Sequence, residues 1–316
     1  MTAFFIRRAL QAVPLLGLIS VLCFTVISLA PGGLMANYED PSMTAEDIAR
    51  LEESLGMHEP APVRYVKWLG AIMRGDLGRS LSTREPVLAM IAERLPATLE
   101  LTTLALILGL IVGIPLGLIS GLRPGSAIDS AVRVLSVAGN AVPHWWLGLV
   151  SIVLFAGVLH ILPSGGRFTV GRPFDLLDHL RFLVLPVCIL STGPIVVFSR
   201  LVRAEVREVL GADFIRTAHA KGLPLQAVLR GHVLRNTLIP VVTLLGLSLP
   251  GLFSGAALTE IVFSWPGLGQ MALTMASKRD VPVLMGLLMI SSTLVVLGNL
   301  LADLAYGMVD PRVKYA

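Results

Sequence analysis

Asp213-Phe214-Ile215-Arg216-Thr217-Ala218-His219-Ala220-Lys221-Gly222 sits at the centre of a basic segment, Arg200 to Pro240, that long apolar stretches hold on both sides. Hydropathy assigns the segment to water and its neighbours to hydrocarbon. That alternation decides the fold class: polar surface fixed between membrane crossings. Asp213 is placed to cap a short helix over Phe214, Ile215, Thr217, Ala218 and Ala220, which Gly222 ends. Phe214, Ile215 and Ala218 share one apolar edge, while Arg216, His219 and Lys221 project elsewhere. Pro224 prevents a smooth continuation, and a second helix leads from about Leu225 toward Asn236. Such a helix either transmits force into a groove on a soluble partner or rests on lipid headgroups. The residues alone leave both uses open.

Outward from this segment the chain is oily. Of its 316 residues 54% are hydrophobic and 15% charged, and several runs reach the roughly 20 residues a helix needs to cross about 30 Å of hydrocarbon. Six spans are predicted: Ala9–Ala30, Leu101–Leu122, Val134–Leu162, Phe182–Ser199, Leu238–Phe263 and Val283–Met308. The first is too long for a secretory h-region of about 7–15 residues, so it is read as retained. The third is long for one crossing and is expected to tilt or to start as a surface helix.

Arg200, Arg203, Arg207, Arg216, Lys221, Arg230 and Arg235 crowd the loop after span four and place it inside. An even number of spans then puts both ends inside, in keeping with Arg7 and Arg8 at one end and Arg312 and Lys314 at the other. Arg167, Arg172 and Arg181, in the outer loop before span four, run against this bias, and the inner loop before span three holds only Arg123 and Arg133. The net charge of +4 is modest and concentrated in one loop, which points to topology and partner docking and not to nucleic acid. Cys23 and Cys188 both fall in apolar spans and read as small buried hydrophobes.

The chain divides into residues 1–95, the first span with an external helical segment, and 96–316, a five-helix core carrying the polar loop at about 200–240. In the external segment Thr44 and Gly56 bound one helix. A second runs from Pro62 through Val63, Val66, Leu69, Ile72 and Met73 to Gly75, its apolar face resting on the membrane or on the protein's own spans. A third opens at Pro86 and leads into span two.

No glycine-rich phosphate loop ending in Gly-Lys-Ser/Thr, no His-Glu-x-x-His pair and no Gly-x-Ser-x-Gly elbow occurs. Catalytic, cofactor-binding and metal-ligating residues are therefore expected to be absent, and the chain is not expected to be an enzyme. Gly109, Gly113, Gly117 and Gly121 recur every fourth residue of span two, which puts four missing side chains on one helix face for close packing. This is read as static packing in preference to a sliding seam. Within or near the spans, Asp303 with Asn299, Glu260 and His144 beside Trp145 and Trp146 are the polar candidates for a pathway or for packing.

Arg216-Thr217-Ala218-His219-Ala220-Lys221-Gly222, continuing to Leu238-Ile239-Pro240, resembles the "EAA" loop of binding-protein-dependent ABC importer permeases. Arg216 stands where the general motif has Glu and Thr217 where it has Ala, as in the dipeptide/oligopeptide/nickel branch. Leu55-Gly56, Pro62-Val63-Arg64-Tyr65, Arg74-Gly75-Asp76-Leu77-Gly78, Arg94-Leu95-Pro96-Ala97-Thr98-Leu99-Glu100-Leu101, Phe263-Ser264-Trp265-Pro266-Gly267-Leu268-Gly269 and Asp310-Pro311-Arg312 are similar to that branch over nearly the whole chain. One departure is Pro31-Gly32-Gly33, which lacks the acidic residue common after that Pro-Gly.

The resemblance implies an all-α polytopic protein of the bacterial cytoplasmic (inner) membrane, with six transmembrane helices, both ends inside and a type I importer (MetI-like) permease fold. It implies a first-type permease subunit forming half of a pathway for short peptides by alternating access. The implied partners are a second homologous permease, two cytoplasmic ATPase subunits, an external solute-binding protein and the bilayer. ATP and Mg would be used by the partner subunits, with no cofactor bound by this chain, and residues 213–222 would be the coupling helix that docks on an ATPase. A permease for nickel, glutathione or sugar remains an alternative, as does a secondary transporter with Asp303 as its coupling group.

Overall fold

A computed structural model describes residues 2–28, 59–254 and 257–309. The expected helix between Thr44 and Gly56, Pro31-Gly32-Gly33 and the ending Asp310-Pro311-Arg312 lie outside these residues. Among the described residues the regular elements are all helices, with one isolated antiparallel bridge between Arg79 and Pro86.

Helix α1 is Thr2–Ser28 and α2 is Ala61–Met73. Helix α3, Val87–Leu122, starts directly after Pro86, whose extended backbone supplies the cap position. It runs without interruption through Pro96 and Pro115 for 36 residues, so the expected division between residues 95 and 96 falls inside one rigid rod. Helices α4 (Ala127–Ala141) and α5 (His144–Ser151, continued as a π-helix Ile152–Val158) follow. Helix α6, Leu176–Gly211, is a second 36-residue rod. Then come α7 (Asp213–Ala220), α8 (Leu225–Val228), a π turn over Leu229–Leu234 and α9 (Arg235–Ser254). Helices α10 (Ala257–Val262), α11 (Leu268–Ser277) and α12 (Val281–Val309) complete the described chain.

Among the described residues four helical stretches are long and apolar enough to cross a membrane: Val87–Leu122, Leu176–Gly211, Gln226–Leu252 and Val281–Ala302. A fifth results if α4 and α5 form one broken span, and α1 adds the shorter apolar stretch Leu10–Val26. Of the two expectations for the third span, a tilted rod or a start as a surface helix, the straight rod does not hold, and a separate first helix does. The span breaks at Val142-Pro143, and its two halves are bent by 101°. Pro143 explains the break, because the residue before a proline is pushed out of the α region, and Val142 is extended at ψ 124°.

The glycine stripe finds its partner in α6. A Cβ on Gly117 would lie 2.6 Å from the Ser199 carbonyl oxygen, and one on Gly121 would lie 2.7 Å from Val206 Cβ. Gly113 meets the Ile195 carbonyl oxygen at 3.0 Å, and Gly109 abuts the ring of Pro194. Backbone faces backbone along the whole seam, which only residues without side chains permit.

Cores form at both ends of this α3–α6 pair. At one end Val202, Val206 and Val209 of α6 enclose Ile215 and Ala218 of α7 with Val228 and Val233. At the other, Ala97, Leu101 and Leu183 enclose Trp265, next to a cluster that ties Val87 and Ile91 of α3 to α11 and α12. Helix α2 packs on α1 by an aromatic contact: Phe24 meets Tyr65 edge-on at 5.5 Å, and Ser20 Oγ lies 2.8 Å from the Tyr65 hydroxyl. The face seated on the protein's own span is therefore aromatic, while Leu69 and Ile72 are half-buried and Val63, Val66 and Met73 stay in the open.

Candidate functional site

Helix α7 begins one residue earlier in role than its sequence indicates. Ala212 holds the extended conformation between α6 and α7 (ψ 148°), and its carbonyl accepts from the amides of Ile215 and Arg216. Asp213 is therefore the first helical residue and not the cap. Its carboxylate turns instead to Arg216 Nη1 at 3.1 Å, an ion pair one turn along on an exposed face. Thr217 Oγ1 donates to the Asp213 carbonyl at 3.0 Å. At the far end Gly222 takes φ +76° and the Leu223 amide returns to the Ala218 carbonyl, the left-handed stop that glycine makes without strain.

The helix presents two unlike sides. Ile215 and Ala218 are buried in the core built by α6 and the π turn. Asp213, Phe214, Arg216 and Lys221 are exposed, with Phe214 leaning toward the His232 ring at 6.4 Å between centroids. Phe214 thus leaves the apolar edge that its spacing assigns it to. Ala218 faces inward, so a bulky charge there would strike the protein's own core before any partner. His219 and Ala220 complete the helix.

The four other candidates separate. Glu260 is fully buried: Thr98 Oγ1 donates to Oε1 at 2.7 Å, and the amides of Gly269 and Gln270 donate to Oε2 at 2.7 and 3.1 Å. It caps the first turn of α11 from outside that helix, where amide donors and the helix dipole both favour an acidic group. Gly267 and Gly269 leave room for it, since a Cβ on Gly267 would overlap its carboxyl group. Trp265 Nε1 donates to the Ala97 carbonyl at 2.8 Å and closes the same junction. The Glu260 carboxylate is thus fully buried and engaged by three donors within this junction.

His144 Nδ1 lies 2.9 Å from Thr192 Oγ1 and ties α5 to α6, while Trp145 and Trp146 are exposed beside it. Asn299 lines a shallow pocket with Arg8, Gln11 and Leu247 between α1, α9 and α12. The side chain of Asp303 lies outside the described residues. Glu260, His144 and Asn299 lie on α10, α5 and α12, apart from α7.

Three polar knots escaped the sequence reading. Glu100 receives Arg167 Nη2 at 2.7 Å and lies 2.6 Å from His179 Nε2, whose Nδ1 meets the Arg167 carbonyl at 2.8 Å. Arg167 is one of the arginines that ran against the topology bias, and here it is neutralised by its own chain. Asp129 takes Arg203 through Nε at 2.6 Å and Nη2 at 3.2 Å, with Ser120 Oγ donating at 2.6 Å. Asp280 accepts from Ser80 Oγ at 2.6 Å, Ser82 Oγ at 2.8 Å and the Ser82 amide at 3.0 Å. That contact pins residues 79–86 to the α11–α12 turn. Burial alone would raise the Asp280 carboxyl, but the hydroxyl and amide donors outweigh it and hold the group below its ordinary value. The sequence signal for all three is a lone acidic residue at the edge of an apolar run.

A groove of about 300 Å³ opens between α3, α6 and α9, lined by Thr102, Leu106, Gly193, Pro194, Phe198 and Ser248 among others. It is mostly apolar, with two hydroxyl groups on its wall.

Residues 113–315 match the family described as binding-protein-dependent transport system inner membrane component, and residues 1–102 match that system's membrane-component N-terminal family. The chain is 40% identical to the oligopeptide transport system permease protein AppB of Bacillus subtilis, each chain covered in full. It is 36% identical to the di/tripeptide transport system permease protein DppB of Pseudomonas aeruginosa, over 100% of this chain and 99% of that one. It is 35% identical, with the same coverage, to the dipeptide transport system permease protein DppB of Escherichia coli K12. Among solved structures an amino acid ABC transporter is similar in fold, with a TM-score of 0.51 at 15% identity over 70% of this chain and 94% of that one.

Proposed function

The chain belongs to the family of binding-protein-dependent transport system inner membrane components, and on that premise we propose a division of labour among its parts. It is a multi-pass permease subunit of an ABC importer in the inner membrane, with short peptides as cargo, by the relatives' names. Its membrane part has six crossings with both ends inside, counting α1 as the first and the bent α4–α5 pair as the third. A second permease completes the pathway, an external solute-binding protein delivers cargo, and two ATPase subunits supply the energy. The groove beside Thr102 and Ser248 is this chain's share of the pathway wall.

One observation carries the mechanical part. Helix α7 is bound to α6 and the π turn through Ile215 and Ala218, yet turns Phe214 and Arg216 outward. A push on the outer face is therefore delivered to the long rods and not absorbed by a loose loop. The ATPase seats on that outer face, and its closure reorients α6 and α9. The test is Phe214→Asp in the assembled transporter. ATP-driven peptide uptake should fall at least tenfold while membrane insertion survives. Full uptake at wild-type ATP cost would sink the assignment of α7 as the coupling helix.

A further inference from the structure

Helix α4, set at an angle to α5 by the bend at Val142-Pro143, and α6 enclose a cleft of about 710 Å³. Arg133, Ser136 and Val137 of α4 form one wall and Arg200, Arg203 and Ala204 of α6 the other. Three guanidinium groups face one carboxylate, that of Asp129, which Arg203 engages with two nitrogens. Arg133 reaches Asp129 only at 3.7 Å and is more than half exposed. Arg200 is exposed, and no carboxylate among the described residues pairs with it. The cleft thus keeps a surplus of two positive charges, borne by the two arginines that reach open space.

We infer that this cleft holds the phosphate of an anionic phospholipid from the inner leaflet. Level decides in favour of lipid. Arg200 is the first charge after the apolar run Phe182–Ser199, and Arg133 directly precedes the apolar Val134 and Leu135. Both guanidinium groups therefore stand where hydrocarbon gives way to headgroups, on the side that the arginine-rich loop places in the cytoplasm. Just beyond them Val134, Leu135 and Val137 of α4 expose apolar surface for acyl chains. A guanidinium fork matches phosphate oxygens in planar, two-point geometry, and two forks across one cleft fix a single headgroup. Bound there, the lipid bridges α4 to α6 next to the clamp of Asp129 and Arg203. The inference rests on the topology given under Proposed function.

The test uses the assembled transporter in nanodiscs of phosphatidylcholine with a minor fraction of phosphatidylglycerol, read by native mass spectrometry of retained lipid. Wild type should keep phosphatidylglycerol, and the double variant Arg133→Gln/Arg200→Gln should keep at least tenfold less. The control Arg207→Gln/Arg230→Gln, which removes equal charge outside the cleft, should retain it. Equal loss in both variants would overturn the site. So would complete displacement by inorganic phosphate, which would make it a free-anion site, or crosslinking of Val137→Cys to the partner permease, which would fill the cleft with protein. Accessibility of Arg207→Cys to an impermeant thiol reagent, scored from each side of the membrane, tests the topology separately from lipid retention.

Discussion

The two ends of α6 use charge in opposite ways. Near His179 two acidic residues turn inward: Glu260 of α10 is fully buried against the start of α11, and Glu100 is taken up by Arg167 and His179. About 50 Å away along a rod of this length, α7 does the reverse. There Ile215 and Ala218 point in, while Asp213 and Arg216 pair in solvent. The first end is a closed junction whose polar groups are spent on holding shape. The second is an open surface whose polar groups leave capacity for another molecule. The coupling proposed for α7 needs both, because a push applied at the open end is useful only if the closed end does not give.

The contrast breaks most sharply at Glu260. Glu260→Ala strips partners from the Thr98 hydroxyl and the Gly269 and Gln270 amides at once. Leaving these buried donors unpaired should cost about 3–5 kcal/mol. Thermal unfolding of the detergent-solubilised complex should show it as a large fall in midpoint. A shift no greater than that of an exposed substitution would mean that the junction is not closed.

Next in size is the seam that joins the two ends. Gly117→Ala forces a methyl against the Ser199 carbonyl at 2.6 Å, where two helix backbones must part. A loss of about 1–3 kcal/mol is expected. Gly246→Ala is the counterpart of opposite sign, since its nearest neighbour is the Ala302 carbonyl oxygen at an ordinary 3.6 Å. Replacing a helix-interior glycine there should add up to about 1 kcal/mol. Equal effects in the two variants would remove the seam as the stiff link.

A pH scan sharpens the closed end at Asp280. Its carboxyl is held below the unfolded value of about 3.9. The contact with Ser80 and Ser82 therefore contributes in full above that value and is lost as pH falls through the lower, folded one. Hydrogen exchange at the Ser82 amide, corrected for intrinsic rate, should be flat from pH 8 to 5 and quicken only in acid below about 4. Release near neutral pH would contradict the bonding described for this turn.

The open end was the more legible in sequence. Gly222, Pro224 and the basic spacing fix α7 to within a residue, because caps and breakers act locally. The glycine stripe was equally plain, since a four-residue period survives any tertiary context. Glu260 was noticed, but its partners Thr98 and Gly269 could not be read, because nothing local says that α3 passes α11. The same holds for Arg203 and Asp129, which lie 74 positions apart. Arg167, which runs against the topology bias, hides its partner for the same reason: Glu100 lies 67 positions away. Asp213 was misplaced by one position because its cap preference competed with an ion pair to Arg216, and Ala212 took the extended backbone instead.

The smallest structural effect separates docking from folding. The Asp213–Arg216 pair is more than three-quarters exposed on both sides, and exposed pairs on a helix contribute about 0.3–0.5 kcal/mol. Arg216→Ala should therefore leave the unfolding midpoint within a degree or two. Arg216 nonetheless stands on the face assigned to the ATPase. If that face is open because a partner uses it, peptide uptake per ATP hydrolysed should fall severalfold in a protein as stable as wild type. Arg216→Lys, which keeps the charge but not the planar fork, should recover part of it. Loss of stability together with uptake would instead make Arg216 part of the fold, and the difference between the two ends of α6 would shrink to one of exposure alone.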